Sequence, residues 1–358
     1  MREPAKPSTS EPLVEIASLV EFIARALAAA GVPLEDAAQV AALMAEADAR
    51  GSDAHGVFRL PQYVKQIESG AVNPRPNLQV VSSRAGTALL DGDNGLGHLA
   101  MKRAAELAIE KAHECGVAWV GTRRSNHAGP AQLYPRMVAA RDMIGMYFCV
   151  GNANLLPPWG GTEVLLSTNP IAIVVPGSRH PSIALDMATT NTAFGKIRLK
   201  AQRGETMPEG WMIDREGKPL TDPKRASEGF LVPIGGPKGY GLALMIGLLA
   251  GTLNGAAFGR DVVDYTVDSK TPSNTGQSIV AVDIAAFADV QAFKEEVDEV
   301  WDMMKSSPTL PGVDEVRLPG ERSEQIYRER MAHGVPVSQG QRKILDELAA
   351  QLGIRALQ

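Results

Sequence analysis

The chain has 358 residues, 44% hydrophobic and 22% charged, with 36 Lys and Arg against 41 Asp and Glu for a formal net charge of −5. This length and composition describe a globular protein of one large or two ordinary domains. The negative balance, with no basic block, argues against nucleic acid or an anionic membrane as partner, and no run approaches the roughly 18 apolar residues of a membrane span. The two cysteines, Cys115 and Cys149, sit in apolar strand-like runs. They are expected to be buried free thiols in a soluble, cytoplasmic protein.

Residues 1–12, "MREPAKPSTSEP", are rich in Pro and Ser without the apolar stretch of a signal peptide, and predict a disordered tail. Residues 13–85 are expected to form the first part of a helical domain. "SLVEFIARALAAAG" predicts an amphipathic helix with Ser18 and Glu21 as capping box and Gly31 as its stop; Leu19, Phe22, Ile23, Ala26 and Leu27 form the apolar stripe. "PLEDAAQVAALMAEADARG" repeats the pattern through Val40, Leu43, Met44 and Ala47. "SDAHGVFRLPQYVKQIESG" then joins a polar turn to a shorter helix.

From residue 86 to 234 strands and helices alternate, which predicts an α/β cofactor-binding domain. "TALLDGD", "VAWVGT", "MIGMYFCVG", "NPIAIVVP" and "SIALDMAT" read as strands, "LAMKRAAELAIEKAHECG" and "AQLYPRMVAARD" as helices. Residues 235–275 are expected to be a helical segment opened by the Gly-rich loop "GGPKGYG". Residues 276–305 return to the α/β domain through the strand "GQSIVAVDI" and the helix "DVQAFKEEVDEVWDMMKS". Residues 306–358 complete the helical domain, with Ser338 and Gln341 capping a stripe of Ile344, Leu345, Leu348 and Leu352.

Six histidines are available for chemistry. His113, His180 and His333 lie among charges or in polar turns, and His98 begins a helix, where a turn or capping role suffices. His55 in "SDAHGVFR" and His127 in "RRSNHAG" stand out as turn histidines beside arginines. No HExxH, cysteine pair or tight ligand cluster supports a metal, and no G-x-S-x-G supports nucleophilic hydrolysis. The Rossmann G-x-G-x-x-G is also absent. The loop "GGPKGYG" entering an apolar helix, with Lys238 beside the helix's positive end, suits a pyrophosphate; close packing of glycines against a neighbouring helix explains it equally well. The residues alone lead to a ligand-binding α/β enzyme.

"DAHGVFRLPQY", "SNHAGPA", "PPWGGTEVLLSTNPIA", "ALDMATT", "MPEGWMIDREGKPLTDP", "GGPKGYGLALM" and "LPGE", in this order, resemble the malate/L-lactate dehydrogenase family of the second, non-Rossmann type. That family includes ureidoglycolate, sulfolactate and diketogulonate oxidoreductases and piperideine-2-carboxylate reductases. The resemblance implies a non-Rossmann α/β domain holding NAD or NADP, a helical domain built from both chain termini, a cleft between them and a homodimer. It implies that His55 donates or relays a proton, that Arg59 grips the substrate carboxylate and that Tyr63 lines the same pocket. His127 would be the acid/base on the C2 oxygen, and Asp186 would orient a histidine. Thr168 and Asn169 would shape the substrate floor. Pro170, Met187, Ala188, Gly235, Gly236, Pro237, Lys238, Pro319 and Gly320 match cofactor-contact segments.

Two departures matter. Ala54 replaces the serine common before the first histidine, which removes a hydroxyl relay and shifts the acid/base role toward His127. Ala128 replaces a common aromatic and is expected to open the pocket to a substrate larger than pyruvate. The expected reaction is hydride transfer to or from C2 of a small 2-oxo or 2-hydroxy acid. Reduction of a cyclic ketimine, or ligand binding without catalysis, is the alternative.

Overall fold

The computed structural model describes residues 12–358, except the side chains of Leu199, Gln202 and Arg203. The predicted tail, Pro12 apart, lies outside the described residues. Leu13–Val14 (β1) leads into α1 (Ile16–Ala29), which buries the expected stripe of Leu19, Phe22, Ile23, Ala26 and Leu27. The helix opens at Glu15, whose carbonyl accepts the first helical bond from Leu19, so Ser18 lies inside the first turn and does not cap it. Gly31 ends it at φ +100°, a conformation that disfavours any Cβ. α2 (Leu34–Ala49) packs on α1, and α3 (Leu60–Glu68) buries Leu60, Tyr63, Val64 and Ile67.

The sheet begins at β2 (Gln79–Arg84), ahead of the boundary expected at residue 86. All six β2 residues are exposed, so the strand carries no apolar alternation to read. It forms a hairpin with β3 (Thr87–Asp91); α4 (Gly97–Cys115) then crosses to β4 (Val117–Ser125), parallel to β3. After α5 (Leu133–Ala139) come β5 (Met143–Cys149), β6 (Ile171–Val175) and β7 (Ile183–Met187). An excursion through α6 (Phe194–Arg203) and the hairpin β8 (Met212–Asp214) with β9 (Gly229–Leu231) precedes α7 (Pro237–Ala250). β10 (Thr275–Asp283) then enters the middle of the sheet between β4 and β5.

The order is β2-β3-β4-β10-β5-β6-β7, with every pair antiparallel except β3–β4. A sheet of this kind has no doubly wound switch point, which accounts for the missing Rossmann glycines. α4 and α5 cover one face through Ala104, Ala108, Leu133 and Val138; Ile246 and Ala250 of α7 cover the other with Phe148 and Val280. Cys149 is half-buried in β5, but Cys115 is exposed because it ends α4 and does not enter a strand; both thiols are free.

α8 (Val290–Lys305) lies beyond the sheet, followed by α9 (Glu321–His333), β11 (Val335–Pro336) and α10 (Gln339–Leu352). β11 pairs antiparallel with β1, and Leu345 and Leu348 join Leu19, Phe22, Met44 and Tyr63 in one core. Both chain ends therefore build the helical part. Ser338 accepts from Gln341 N as expected of the cap, but Ile344 faces outward at 46% exposure. No described helix is long and apolar enough to cross a membrane.

Candidate active site

Two loops from the two layers meet at the site. The first is the turn 53–59 between α2 and α3. Asp48, near the end of α2 and 2% exposed, accepts a hydrogen bond from Val57 N at 2.7 Å. A Cβ on Gly56 would overlap this carboxylate, so only glycine lets the turn wrap so closely. Arg330 of α9 clamps the Asp48 carbonyl and the Asp53 side chain, tying the turn to the C-terminal part. The second loop follows β4: Gln277 of β10 receives Ser125 Oγ at 2.8 Å and donates to the Asn126 carbonyl at 3.0 Å. Asn126 Nδ2 reaches back to the Gly95 carbonyl. Ser125 and Asn126 thus hold the loop, and His127 is projected from it.

His55 Nδ1 and His127 Nε2 lie 3.1 Å apart with the rings stacked. His127 Nδ1 is 2.5 Å from the Tyr63 hydroxyl and faces the Gly129 N–H at 3.4 Å. An amide can only donate, so Nδ1 is assigned as acceptor and the proton of neutral His127 sits on Nε2, donated to His55. His127 therefore has both nitrogens engaged inside the protein. His55 Nε2 has no hydrogen-bond partner among the described residues.

Burial first, and then the Arg59 charge, push His55 down to about 4; burial and the neighbouring His55, Arg59 and His98 hold His127 well below the ordinary histidine value. Both rings are neutral near pH 7. Arg59 donates from Nε to the Ala54 carbonyl and from Nη1 to Gln62 Oε1, leaving Nη2 and the second Nη1 hydrogen for a carboxylate.

The structure departs from several expectations. Asp186 does not hold a histidine: its carboxylate accepts Gln132 N at 3.2 Å, with Arg136 as its charged neighbour. It opens to solvent yet is ringed by protein, and this confinement raises its carboxyl to about 6. Asn169 is fully buried and bridges Gly151 N and the Ala243 carbonyl, so its amide is used in holding the fold and is not exposed in the cleft. Ala128 is 2% exposed in the core under the sheet, so its small size does not widen the cleft.

Thr168 offers its carbonyl to the Thr189 N–H and hydroxyl. Pro170 O accepts Cys149 N; Met187 pairs with Ile171 at the sheet edge, and Ala188 follows half-buried. Ile234 N bonds the Thr189 carbonyl, bringing the end of "LDMATT" beside the turn Gly235–Lys238. Gly235 and Gly236 both have positive φ, Pro237 starts α7 and Lys238 is exposed beside its N-terminus. Pro319 O accepts Ala184 N, and Gly320 packs on Ala184, two residues from Asp186. The sequence segments matched to a cofactor thus gather along β7 and its C-terminal end.

Three residues escaped the reading of the sequence. Tyr265 packs its ring 5.5 Å from His127 and 5.8 Å from the Arg59 guanidinium carbon. Gln62 links the Tyr265 carbonyl to Arg59. His98, expected to act in a turn, is fully buried edge-on to Tyr63, with both ring nitrogens unpartnered and burial pushing it down to about 3. Gln62 lies inside "DAHGVFRLPQY" between Arg59 and Tyr63, while Tyr265 and His98 lie in none of the motifs quoted.

Two histidines in hydrogen-bond contact beside an arginine with free donors, mounted where an α/β sheet meets a helical layer, form an arrangement suited to acid/base chemistry. The family model for malate/L-lactate dehydrogenase matches residues 14–346, and the chain belongs to that family. It is 39% identical over 324 residues to L-sulfolactate dehydrogenase of Methanocaldococcus jannaschii, covering 90% of this chain and 92% of that protein. It is 33% identical over 320 residues to ureidoglycolate dehydrogenase (NAD(+)) of Escherichia coli strain K12, covering 89% and 91%. The solved malate dehydrogenase of Pyrococcus horikoshii OT3 superposes with a TM-score of 0.90 at 35% identity, covering 100% of both chains.

Proposed function

We propose that the protein is an NAD- or NADP-dependent dehydrogenase of small 2-hydroxy acids, interconverting them with 2-oxo acids. The observation that carries this reading is the neutral His55–His127 pair beside Arg59. The fit of a dinucleotide rests on the turn at Gly235–Lys238: positive-φ glycines bare the backbone at the N-terminus of a 14-residue helix, with the Lys238 cation beside it. When bound, the nicotinamide supplies the hydride donor or acceptor.

The chain's own residues would do the rest. Arg59 fixes the C1 carboxylate, which orients C2. During oxidation the pair takes the hydroxyl proton on His55 Nε2. This step uses the other tautomer of the neutral pair, in which the His127 proton has moved to Nδ1 toward Tyr63 and the shared proton sits on His55 Nδ1, leaving His55 Nε2 bare. As the hydroxyl proton arrives there, the shared proton passes to His127 Nε2 and His127 holds the positive charge. Reduction runs the same transfers backward, and each direction balances with one proton stored on the pair. The bound carboxylate offsets the Arg59 charge that lowers both histidines, raising the pair's proton affinity when it is needed. Because His127 has both nitrogens engaged, His55 is favoured as the substrate-facing group, reversing the weight that Ala54 suggested.

A homodimer is supported by α7. The helix is apolar on all sides, and Leu242, Met245, Leu248 and Leu249 lie exposed on the face turned away from the sheet. The two free thiols accord with a cytoplasmic location.

The test follows absorbance at 340 nm with NADH and NADPH against 2-oxo acids and cyclic 2-imino acids. Turnover of the oxo acids supports the reading. Turnover confined to the imines would replace it with ketimine reduction, as the "HGVFRLPQY" motif allows. Cofactor binding without oxidation of any substrate would leave a ligand-binding role.

A further inference from the structure

Between α7 and β10 the chain leaves the sheet and crosses to α3. It is tied there by Gln62 Nε2 donating to the Tyr265 carbonyl at 2.8 Å and by Ser69 Oγ donating to the Ser269 carbonyl. These ties place the Tyr265 ring against His127 and under Arg59. Tyr265 is 1% exposed, yet its hydroxyl has no hydrogen-bond partner. The adjacent Asp264 does not partner it; its Oδ1 accepts from Thr266 N and Oγ1. Buried hydroxyls are ordinarily paired, and one left unpaired beside a proton-transfer site needs an explanation.

The geometry points to Tyr265 as a specificity-determining residue whose hydroxyl donates a hydrogen bond to an acidic group on C3 of the substrate. This rests on the 2-hydroxy acid reading above. The C1 carboxylate takes Arg59 and the C2 oxygen takes His55, so the substituent beyond C2 is the part still without a partner. A single ring touching both His127 and Arg59 flanks that position. A neutral tyrosine hydroxyl bonds an ionised acceptor more strongly than a neutral one, which favours an acidic substituent.

The test is Tyr265→Phe, which removes only the hydroxyl, assayed with malate and with lactate as C3-acidic and C3-neutral substrates. The expected result is a KM for malate raised about 10- to 100-fold, as for loss of a hydrogen bond to a charged group, with the KM for lactate unchanged. The melting temperature should hold or rise, because an unpaired buried hydroxyl contributes no stability. Equal effects on both acids, or none on either, would overturn the inference while leaving the dehydrogenase reading intact. If the wild type turns over neither acid, calorimetric binding decides. Malate binding weakened by Tyr265→Phe would support the contact and reject only the reaction; unaffected or undetectable malate binding would reject the contact.

Discussion

Imidazole chemistry at this site is set by which nitrogens remain free. His127 has one nitrogen toward Tyr63 and Gly129 and the other toward His55, while His55 Nε2 is open. His55→Ala is therefore expected to lower kcat about 10²- to 10⁴-fold, the usual contribution of a general acid/base. NADH affinity by fluorescence titration should be retained, and an unchanged kcat would remove His55 from the mechanism. In the oxidative direction the pair must be unprotonated. The acid limb of kcat/KM should thus fall well below 6.5, toward the value of about 4 to which burial and Arg59 push His55. Both histidines, Arg59 and Tyr63 could be picked out of the sequence because they sit in compact motifs. Tyr265 could not: its link to Gln62 spans 203 residues, and nothing around it has catalytic spacing.

At the scale of elements, the turn entering α7 depends on Gly239. A Cβ there would press into the backbone of Ile234, which cannot move aside as a flexible side chain could. Gly239→Ala should weaken NADH binding at least about tenfold and lower the melting temperature, as expected where backbone must shift. Gly241→Ala has open space around its Cβ and serves as the control that changes neither. The turn bearing His55 depends in turn on Asp48, whose carboxyl burial pushes up to about 8 against the opposing Val57 N–H and Arg330 charge; Asp53 adds to the rise. A carboxyl raised on folding binds a proton that the unfolded chain has released, so its contribution to stability declines as pH rises toward the folded value. Between pH 6.5 and 8 this single group should remove about 2 kcal/mol. Asp48→Asn should flatten that decline in denaturant titrations, and an identical slope in wild type and variant would show that Asp48 does not titrate there.

For the whole molecule, α7 is the element out of place in a monomer. One side carries Ile246 and Ala250 into the sheet, while the other leaves Met245 at 49% and Leu249 at 38% exposure. If the proposed homodimer forms through this face, Met245→Glu should shift it to monomer in sedimentation, since burying an unpaired carboxylate at an apolar contact is strongly disfavoured. A wild-type monomer in solution would contradict the assignment of this face. Helices at both chain ends share one core, so shortening either end is a perturbation of the site through Arg330 and the turn it clamps.

Periodicity and motif chemistry reached most of this protein without coordinates: the amphipathic helices, the strand-helix alternation, the histidine and arginine motifs and the family. These are local properties, written in side-chain spacing over a few turns of chain. Where β10 inserts, which partner Asp186 takes, that Ala128 faces the core and that Tyr265 lies against His127 are decided by tertiary structure alone. Each depends on contacts between segments far apart in the chain, and several sequence-compatible arrangements of such contacts exist until packing and hydrogen bonding select one.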